Sequence, residues 1–211
     1  MATATVPVDF SVETSTRSLG YNLPQRVGRL LWLPMLAMAL LLFGAGMALG
    51  VVRANEISDG GAADTIASLQ HLQAGVMFLG FASVFAAISF AIARILGQFR
   101  TGGGELQAAA RRTVQTLRMP GTAKLFLLLM MVAMATILVA SLLHIAFGFD
   151  VENTPASLAD AEDRFVVLEG VRRIGIAVFL FAILLGLATI IRVLRFQAVR
   201  MRQLPEEKPT H

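Results

Sequence analysis

The fold is decided by the segment from Leu30 to Val52, which reads LLWLPMLAMALLLFGAGMALGVV and contains no Asp, Glu, Lys or Arg. Three further segments share this character, and they cover residues 72–93, 125–147 and 174–191. These lengths match the roughly 20 residues that a helix needs to cross a bilayer. A soluble helix of this length would expose at least one polar face to water. The sequence therefore predicts an all-α integral membrane protein with four transmembrane helices in an antiparallel bundle.

Composition and length support the same class. Hydrophobic residues make up 56% of the 211 residues and charged residues 15%, whereas soluble proteins average roughly 45–50% and about 25%. The first run is longer than the about 7–15 apolar residues of a signal peptide, so we expect it to be retained as a span. The chain contains no cysteine, which excludes disulfides and thiolate metal sites.

The charged residues predict the orientation. The first and third connections hold four of the 18 basic residues together with nine acidic ones. The other fourteen basic residues lie in the two terminal segments and the middle connection, and they are Arg17, Arg26, Arg29, Arg94, Arg100, Arg111, Arg112, Arg118, Lys124, Arg192, Arg195, Arg200, Arg202 and Lys208. This bias predicts that both termini face the cytoplasm. The basic character thus reflects topology and does not indicate a nucleic-acid partner.

These observations define three regions of the chain. We expect a cytoplasmic tail over residues 1–29, a membrane domain over 30–195 and a second cytoplasmic tail over 196–211. Arginine greatly outnumbers lysine, and alanine and glycine are abundant, which is typical of a bacterium with a GC-rich genome. The expected location is therefore the bacterial inner membrane, with the lipid bilayer as the first partner.

The middle connection predicts a short amphipathic helix on the inner face. Gly102-Gly103-Gly104 interrupts the helical pattern, and it lacks the Lys-Ser/Thr continuation of a phosphate-binding loop. We therefore interpret the three glycines as a hinge. Between Leu106 and Leu117 the apolar residues recur on one helical face, and Pro120 ends the pattern.

The third connection predicts a helix that begins well before the fourth span. Thr154-Pro155 combines a capping residue with a proline at the first helical position. Apolar residues recur at helical spacing from Leu158 to Val171. On the other side of the span, arginines border the helix until Pro205. We therefore expect the last helix to project beyond the bilayer on both sides.

Small residues recur four positions apart in three spans, as Gly46 with Gly50, Ala82 with Ala86, and Ala182 with Gly186. Such pairs let helix backbones approach closely in lipid, and they fit either a contact between chains or packing within one bundle. An internal duplication into two tandem hairpins is a further hypothesis. At an offset of 100 residues it matches Gly75, Phe81 and Ala82 to Gly175, Phe181 and Ala182.

One set of polar residues converges at the predicted outer edge of the spans. His71 precedes the second span, His144 lies near the outer end of the third, and Glu169, Arg172 and Arg173 precede the fourth. Two histidines on different helices are suitable ligands for haem b or a metal, and the arginines would pair with propionates. Gly75, one turn from His71, would leave room for a porphyrin. The alternative is ordinary helix pairing at an interface.

The sequence leaves three functions open. No Asp, Glu, Lys or Arg lies within the spans, which argues against a pump or an ion-coupled carrier, and no catalytic motif is present. The leading interpretation is a non-catalytic structural or accessory subunit that contacts other membrane subunits or a second copy of itself. The alternatives are an outer-face haem b or metal-binding redox protein that uses His71 and His144, and a membrane sensor or small-solute conduit.

Overall fold

The computed structural model describes residues 10–14 and 19–207, of which 84% are helical. Four long helices dominate the chain, and two short strands accompany them. In chain order the elements are β1 (Val12–Thr14), α1 (Leu23–Ser58), α2 (Ala63–Ala109), β2 (Gln115–Leu117), α3 (Gly121–Gly148) and α4 (Pro155–Gln203), followed by a 3₁₀ turn over Leu204–Glu206. Each helix is long and apolar enough to cross a membrane. The predicted class, an all-α four-helix membrane bundle, is confirmed.

Local signals in the sequence set where the first helix begins and ends. The backbone N–H of Gln25 donates to Asn22 Oδ1 (3.2 Å), and the N–H of Asn22 donates back to Gln25 Oε1 (3.1 Å). This reciprocal arrangement satisfies donors that the first turn leaves free. After α1, Gly60 adopts a left-handed backbone conformation (φ 71°), which glycine accepts without steric cost. The chain then reverses into α2 within a few residues.

The fourth helix confirms the predicted continuous element. The backbone N–H of Ser157 donates to the hydroxyl of Thr154 at 3.2 Å, as expected of a capping residue. From Pro155 the helix continues without interruption to Gln203, 49 residues in all. Its length exceeds the roughly 20 residues needed to cross the hydrocarbon, so a substantial part of α4 lies beyond the span.

The middle connection differs from the prediction. Helix α2 continues through the three glycines to Ala109, so they form no hinge. A Cβ atom at Gly103 would collide with the side-chain amide of Gln197, and one at Gly104 would lie 2.6 Å from Leu19. The glycines therefore permit close packing where the sequence suggested a break.

The predicted amphipathic helix is also not a separate element. Its first residues belong to α2, and the chain then turns at Arg111, which has a positive φ of 54°. Residues Gln115–Leu117 form β2, which pairs in antiparallel register with β1, Val12 opposite Leu117. Residues from the predicted N-terminal tail thus supply the partner that makes this segment a strand.

The chain divides into two compact units. The first, here called the two-turn unit, comprises Trp32–Ile88 and Leu128–Phe181 and holds both tight turns between helices. Its core contains the stacked rings of Phe85 and Phe179, with centroids 3.5 Å apart. Ala133, Ile137 and Ala140 of α3 are completely buried in the same unit.

The second, here called the terminal unit, comprises Met1–Leu31, Ser89–Leu127 and Ala182–His211. Its described core includes Phe126 and the fully buried Phe196, whose ring meets that of Phe10 edge-on at 5.5 Å. Arg17, Lys208 and His211 lie outside the described residues, as do residues 1–9 and 15–18 of the predicted N-terminal tail.

Candidate functional site

The two histidines that were predicted to lie at the same depth are in direct contact. His71 lies on α2 and His144 on α3, and the residues are 1% and 0% exposed. Their Nδ1 atoms are 3.0 Å apart, which is a hydrogen-bonding distance. We call these two residues the histidine pair.

A third helix contributes to the same set of bonds. His71 Nε2 lies 2.9 Å from the backbone carbonyl oxygen of Ala161 on α4. The histidine pair therefore connects α2, α3 and α4. Interhelical hydrogen bonds in membrane proteins contribute on average about 0.6 kcal/mol each. This small gain in stability does not by itself explain why two imidazoles are buried in an apolar unit.

The acceptor fixes the proton positions in the histidine pair. A carbonyl oxygen only accepts, so the bond to Ala161 requires a proton on His71 Nε2. In the neutral ring His71 Nδ1 is then bare, and it accepts from a proton on His144 Nδ1. His144 Nε2 is consequently left as a bare acceptor. This atom is buried and has no hydrogen-bond partner among the described residues.

Three phenylalanine rings surround the histidine pair. Phe165 meets both imidazoles edge-on, with its centroid 5.5 Å from that of His71 and 5.2 Å from that of His144. Phe78 lies 5.1 Å from His144, and Phe147 lies 6.4 Å from His71. The phenylalanine rings pack edge-on against the two imidazoles on these sides.

Arg172 reaches this aromatic cluster, whereas Arg173 does not. The guanidinium carbon of Arg172 lies 4.3 Å from the centroid of Phe78, the ring that also contacts His144. Arg172 Nη2 donates to Glu169 Oε2 at 2.5 Å, while its Nε atom is buried without a hydrogen-bond partner in the described chain. The side chain of Arg173 is 78% exposed, and its Nε lies 3.9 Å from the same carboxylate. Of the two predicted arginines, Arg172 is therefore the one that shares a neighbouring ring with His144.

The observed geometry is that of a hydrogen-bonded pair, and this limits how haem or a metal would bind. A haem with both histidines as axial ligands would lie between the two rings, which here touch. The room expected at Gly75 is absent, because a Cβ there would lie 2.9 Å from the Ser141 carbonyl oxygen. Across the described ranges, no group of three or more His, Cys, Asp or Glu residues is arranged to hold a metal. Ligation by His144 stays a prediction, and it would use Nε2.

A cavity of about 290 Å³ lies beside His71. Gln70, Glu162 and Phe165 line it together with His71, so its walls come from the first turns of α2 and α4. The histidine pair is thus fully buried, but one of its rings forms part of the wall of a cavity that can hold small molecules.

The predicted small-residue pairs pack inside the chain. A Cβ at Gly46 would lie 2.5 Å from Met77, and one at Gly50 would lie 2.6 Å from Gln73, both on α2. In the same unit Ala82 and Ala86 are buried. In the terminal unit Ala182 is completely buried, and a Cβ at Gly186 would lie 3.0 Å from Ile92 and 3.1 Å from Phe126. These faces serve contacts between helices of one chain.

The terminal unit contains a second buried polar group, which the sequence did not predict. Arg200 of α4 is 1% exposed, and its Nε donates to Gln107 Oε1 at 3.0 Å. Its Nη2 donates to the Thr113 carbonyl oxygen (2.8 Å) and to Glu207 Oε2 (2.9 Å), and its Nη1 donates to the other oxygen of Glu207. We call Arg200, Gln107, Thr113 and Glu207 the arginine cluster.

The arginine cluster also orders the middle connection. The side-chain amide of Gln107 donates to the carbonyl oxygen of Gln115 (3.0 Å) and accepts from its N–H (2.8 Å). Gln107 therefore bonds the start of β2 as a neighbouring strand would. In the sequence, Arg200 is one of several arginines that border α4, and nothing in the sequence distinguishes it from Arg202.

In comparisons with known proteins, no family profile matches the chain, and no curated protein or solved structure shows significant similarity. The class therefore rests on the chain itself. Its four apolar helices are those of a multi-pass membrane protein in contact with the lipid bilayer.

Proposed function

We propose that this multi-pass membrane protein is a non-catalytic structural or accessory subunit of a larger membrane complex. The observation that carries the proposal is the uncovered surface of α1. In the most apolar 18-residue window of α1, 11% of the residues are buried, against 39%, 33% and 28% in α2, α3 and α4. One helix of the four thus has few contacts within its own chain.

The uncovered surface of α1 has the composition of a helix contact. Gly44 and Ala48 are exposed and four positions apart, and a Cβ at Gly44 would meet no atom within 4 Å. Leu41 and Met47, which flank them, are 71% and 62% exposed. Glycine in a helix costs about 1 kcal/mol relative to alanine. A glycine that meets no other described residue is favourable when a second helix packs closely on it.

The partner that fits this surface is a transmembrane helix of another membrane subunit. The test is a photoreactive amino acid at Leu41, introduced into the full chain in its native membranes. We expect a discrete adduct with one integral membrane protein, and we expect Gly44→Leu to abolish it because the added side chain blocks close approach. Leu142 of α3 is the matched control, since it is also exposed (54%).

One result would contradict the accessory role, and another would change the partner. Adducts with lipid alone at both positions would show that α1 simply faces the bilayer. An adduct of twice the chain mass would identify the partner of α1 as a second copy of this protein.

We further propose that both termini face the cytoplasm and that the membrane is a bacterial inner membrane. The distribution of arginine supports this orientation. Because the chain has no cysteine, single cysteines at Asp59 and at Arg111 test it directly. In intact cells, a membrane-impermeant maleimide should label the cysteine at position 59 but not the one at position 111. Labelling at position 111 alone would show that the topology is the reverse of the one proposed.

The unpartnered Nε2 of His144 favours a second candidate function, the binding of haem b or a metal ion for redox chemistry. A neutral imidazole whose other nitrogen donates a hydrogen bond is the state in which histidine ligates metals. In this role His144 would be the ligand, His71 would orient it, and Arg172 would hold an anionic group of the cofactor. Arg173 would contribute charge from the surface.

An absorption spectrum and a metal analysis of the purified protein test this candidate. If it is correct, His144→Phe should remove the haem band or the stoichiometric metal completely. His71→Phe should weaken binding by about 10–100-fold, as loss of a group that orients a ligand does. A sample prepared from native membranes with neither haem nor metal would exclude the second candidate and leave the accessory role unaffected.

A further inference from the structure

The terminal unit contains a larger cavity, of about 670 Å³, that neither the accessory role nor the histidine pair uses. Its walls come from β1, from the start of α1 and the residue before it, and from α2, β2, α3 and α4. Leu96, Ala123 and Val193 provide an apolar side, and Asn22 and Thr116 contribute polar groups. A cavity with both kinds of wall fits an amphiphilic ligand better than a purely polar one.

The depth of the cavity supports the same conclusion. Leu96 and Val193 lie just beyond the second and fourth predicted spans, which end at residues 93 and 191, and Ala123 lies just before the third, which begins at residue 125. These positions are at the level where a bilayer changes from hydrocarbon to headgroups. A lipid can therefore present its headgroup and the first part of its acyl chains to this cavity.

Arg100 gives the cavity its charge. Its side chain is partly buried in the wall, and it has no hydrogen bond or ion pair among the described residues. The carboxylate that shares the wall, Glu13, is paired with Arg118 at 3.4 Å. Among the described residues that line the cavity, the charge without an ion pair is thus a guanidinium, a group that binds phosphate through two parallel hydrogen bonds.

The surrounding charge also favours an anion. The described part of the terminal unit holds three times as many basic as acidic residues. The basic residues are Arg26, Arg29, Arg94, Arg100, Arg111, Arg112, Arg118, Lys124, Arg192, Arg195, Arg200 and Arg202, and the acidic ones are Glu13, Glu105, Glu206 and Glu207. Basic pockets between membrane helices are known binding sites for acidic lipid headgroups.

We propose that this cavity binds an anionic phospholipid, with the headgroup phosphate on Arg100 and the upper acyl chain against Leu96, Ala123 and Val193. The site is independent of the proposed accessory role. It gives the protein a bound lipid as a structural partner at the level of the helix ends.

The proposal is tested on the purified full-length chain by native mass spectrometry and by lipid titration in mild detergent. The probes are phosphatidylglycerol, phosphatidylcholine with the same acyl chains, and inorganic phosphate. We expect one phosphatidylglycerol per chain, bound more tightly than either of the other two. The comparison of phosphatidylglycerol with phosphatidylcholine tests the negative charge of the headgroup. The comparison with inorganic phosphate tests the contribution of the acyl chains.

Matched variants locate the site. Arg100→Gln should weaken phosphatidylglycerol binding by about 10-fold, the effect of losing one charge-assisted hydrogen-bonded contact. Arg195→Gln removes the same charge from an exposed position of α4 outside the cavity, and it should change binding less than about twofold. Arg100→Lys keeps the charge and should retain the preference for the acidic lipid. Val193→Phe should weaken lipid binding because it fills the apolar side.

Three results would overturn the proposal. Equal weakening by Arg100→Gln and Arg195→Gln would show general attraction to a basic surface. Equal binding of phosphatidylcholine would show that the charge is irrelevant. Inorganic phosphate that binds as tightly as the lipid would assign the site to a soluble phosphate. Circular dichroism of each variant ensures that these differences are measured on folded protein.

Discussion

The histidine pair and the arginine cluster are both buried polar groups in an apolar protein, but they differ in how completely they are bonded. Every nitrogen of Arg200 donates to an acceptor within the cluster. In the histidine pair, the chain of hydrogen bonds starts at the Ala161 carbonyl and ends at His144 Nε2, which has no partner among the described residues.

This difference separates a structural group from a functional candidate. A buried polar atom without a partner costs about 1–3 kcal/mol. Among the described residues such atoms also lie on Arg53, Asp64, Arg112, Gln115 and Arg172, and His144 Nε2 is the imidazole atom of this set. The arginine cluster avoids that cost and holds the middle connection on α4. The histidine pair bears this free-energy cost at His144 Nε2. We interpret that atom as the position that binds a ligand or a proton.

The largest expected effect is on the arginine cluster. Arg200→Met should lower the free energy of unfolding by about 3 kcal/mol, because it leaves Glu207 and the Thr113 carbonyl oxygen without their common partner, while Gln107 keeps its bonds to Gln115. The measurement is reversible unfolding in mixed detergent micelles. Arg202→Met, an exposed arginine on the same turn of α4, is the control and should change stability little. Equal losses of stability from Arg200→Met and Arg202→Met would show that the buried arginine stabilises the protein no more than the exposed one.

The histidine pair should respond asymmetrically to substitutions that keep a ring in place. His71→Phe removes the bonds to Ala161 and His144 and should destabilise the protein by about 1–2 kcal/mol. His144→Phe removes one bond but also the unpartnered Nε2, so we expect a loss below about 1 kcal/mol. The same unfolding assay checks both variants. If His144→Phe proved the more damaging, His144 Nε2 would have a partner in the folded protein.

The smallest effect is expected from a hydroxyl pair in the terminal unit, which sets the scale for an ordinary interhelical bond. The hydroxyl oxygens of Thr189 and Thr122 are 3.0 Å apart, and the Leu185 carbonyl oxygen, 2.8 Å from the Thr189 hydroxyl, accepts its single proton, so that Thr122 donates to Thr189. Thr189→Val keeps the shape of the side chain and should cost about 0.6 kcal/mol. A loss as large as that of His71→Phe would mean that the histidine pair contributes no more than a common hydroxyl bond.

The comparison also shows what the sequence can predict. Apolar run length predicted the four helices, because the bilayer sets the length of a spanning segment locally along the chain. The juxtaposition of His71 and His144 followed from their depth, since both lie at the same predicted edge of their spans. Depth alone left open whether the two rings would touch or hold a cofactor between them.

The features that were missed depend on residues far apart in the chain. Gly102-Gly103-Gly104 resembles a break, but α2 continues through it, with Gln197 packed against Gly103 and Leu19 against Gly104. Arg200 resembles an interfacial arginine, and its burial requires Gln107, which lies 93 positions away. Likewise, β2 exists because β1 pairs with it. In each case the residue that determines the local structure is distant in the sequence, so a local sequence pattern does not predict it.

The proton positions in the histidine pair test the central claim most directly. Nitrogen-15 NMR of the protein with labelled histidine reports which nitrogen of each neutral ring carries the proton, and His71→Phe and His144→Phe assign the signals. We predict a proton on Nε2 of His71 and on Nδ1 of His144, with His144 Nε2 bare. A proton on His144 Nε2, or a hydrogen bond to that atom within the chain, would contradict the account.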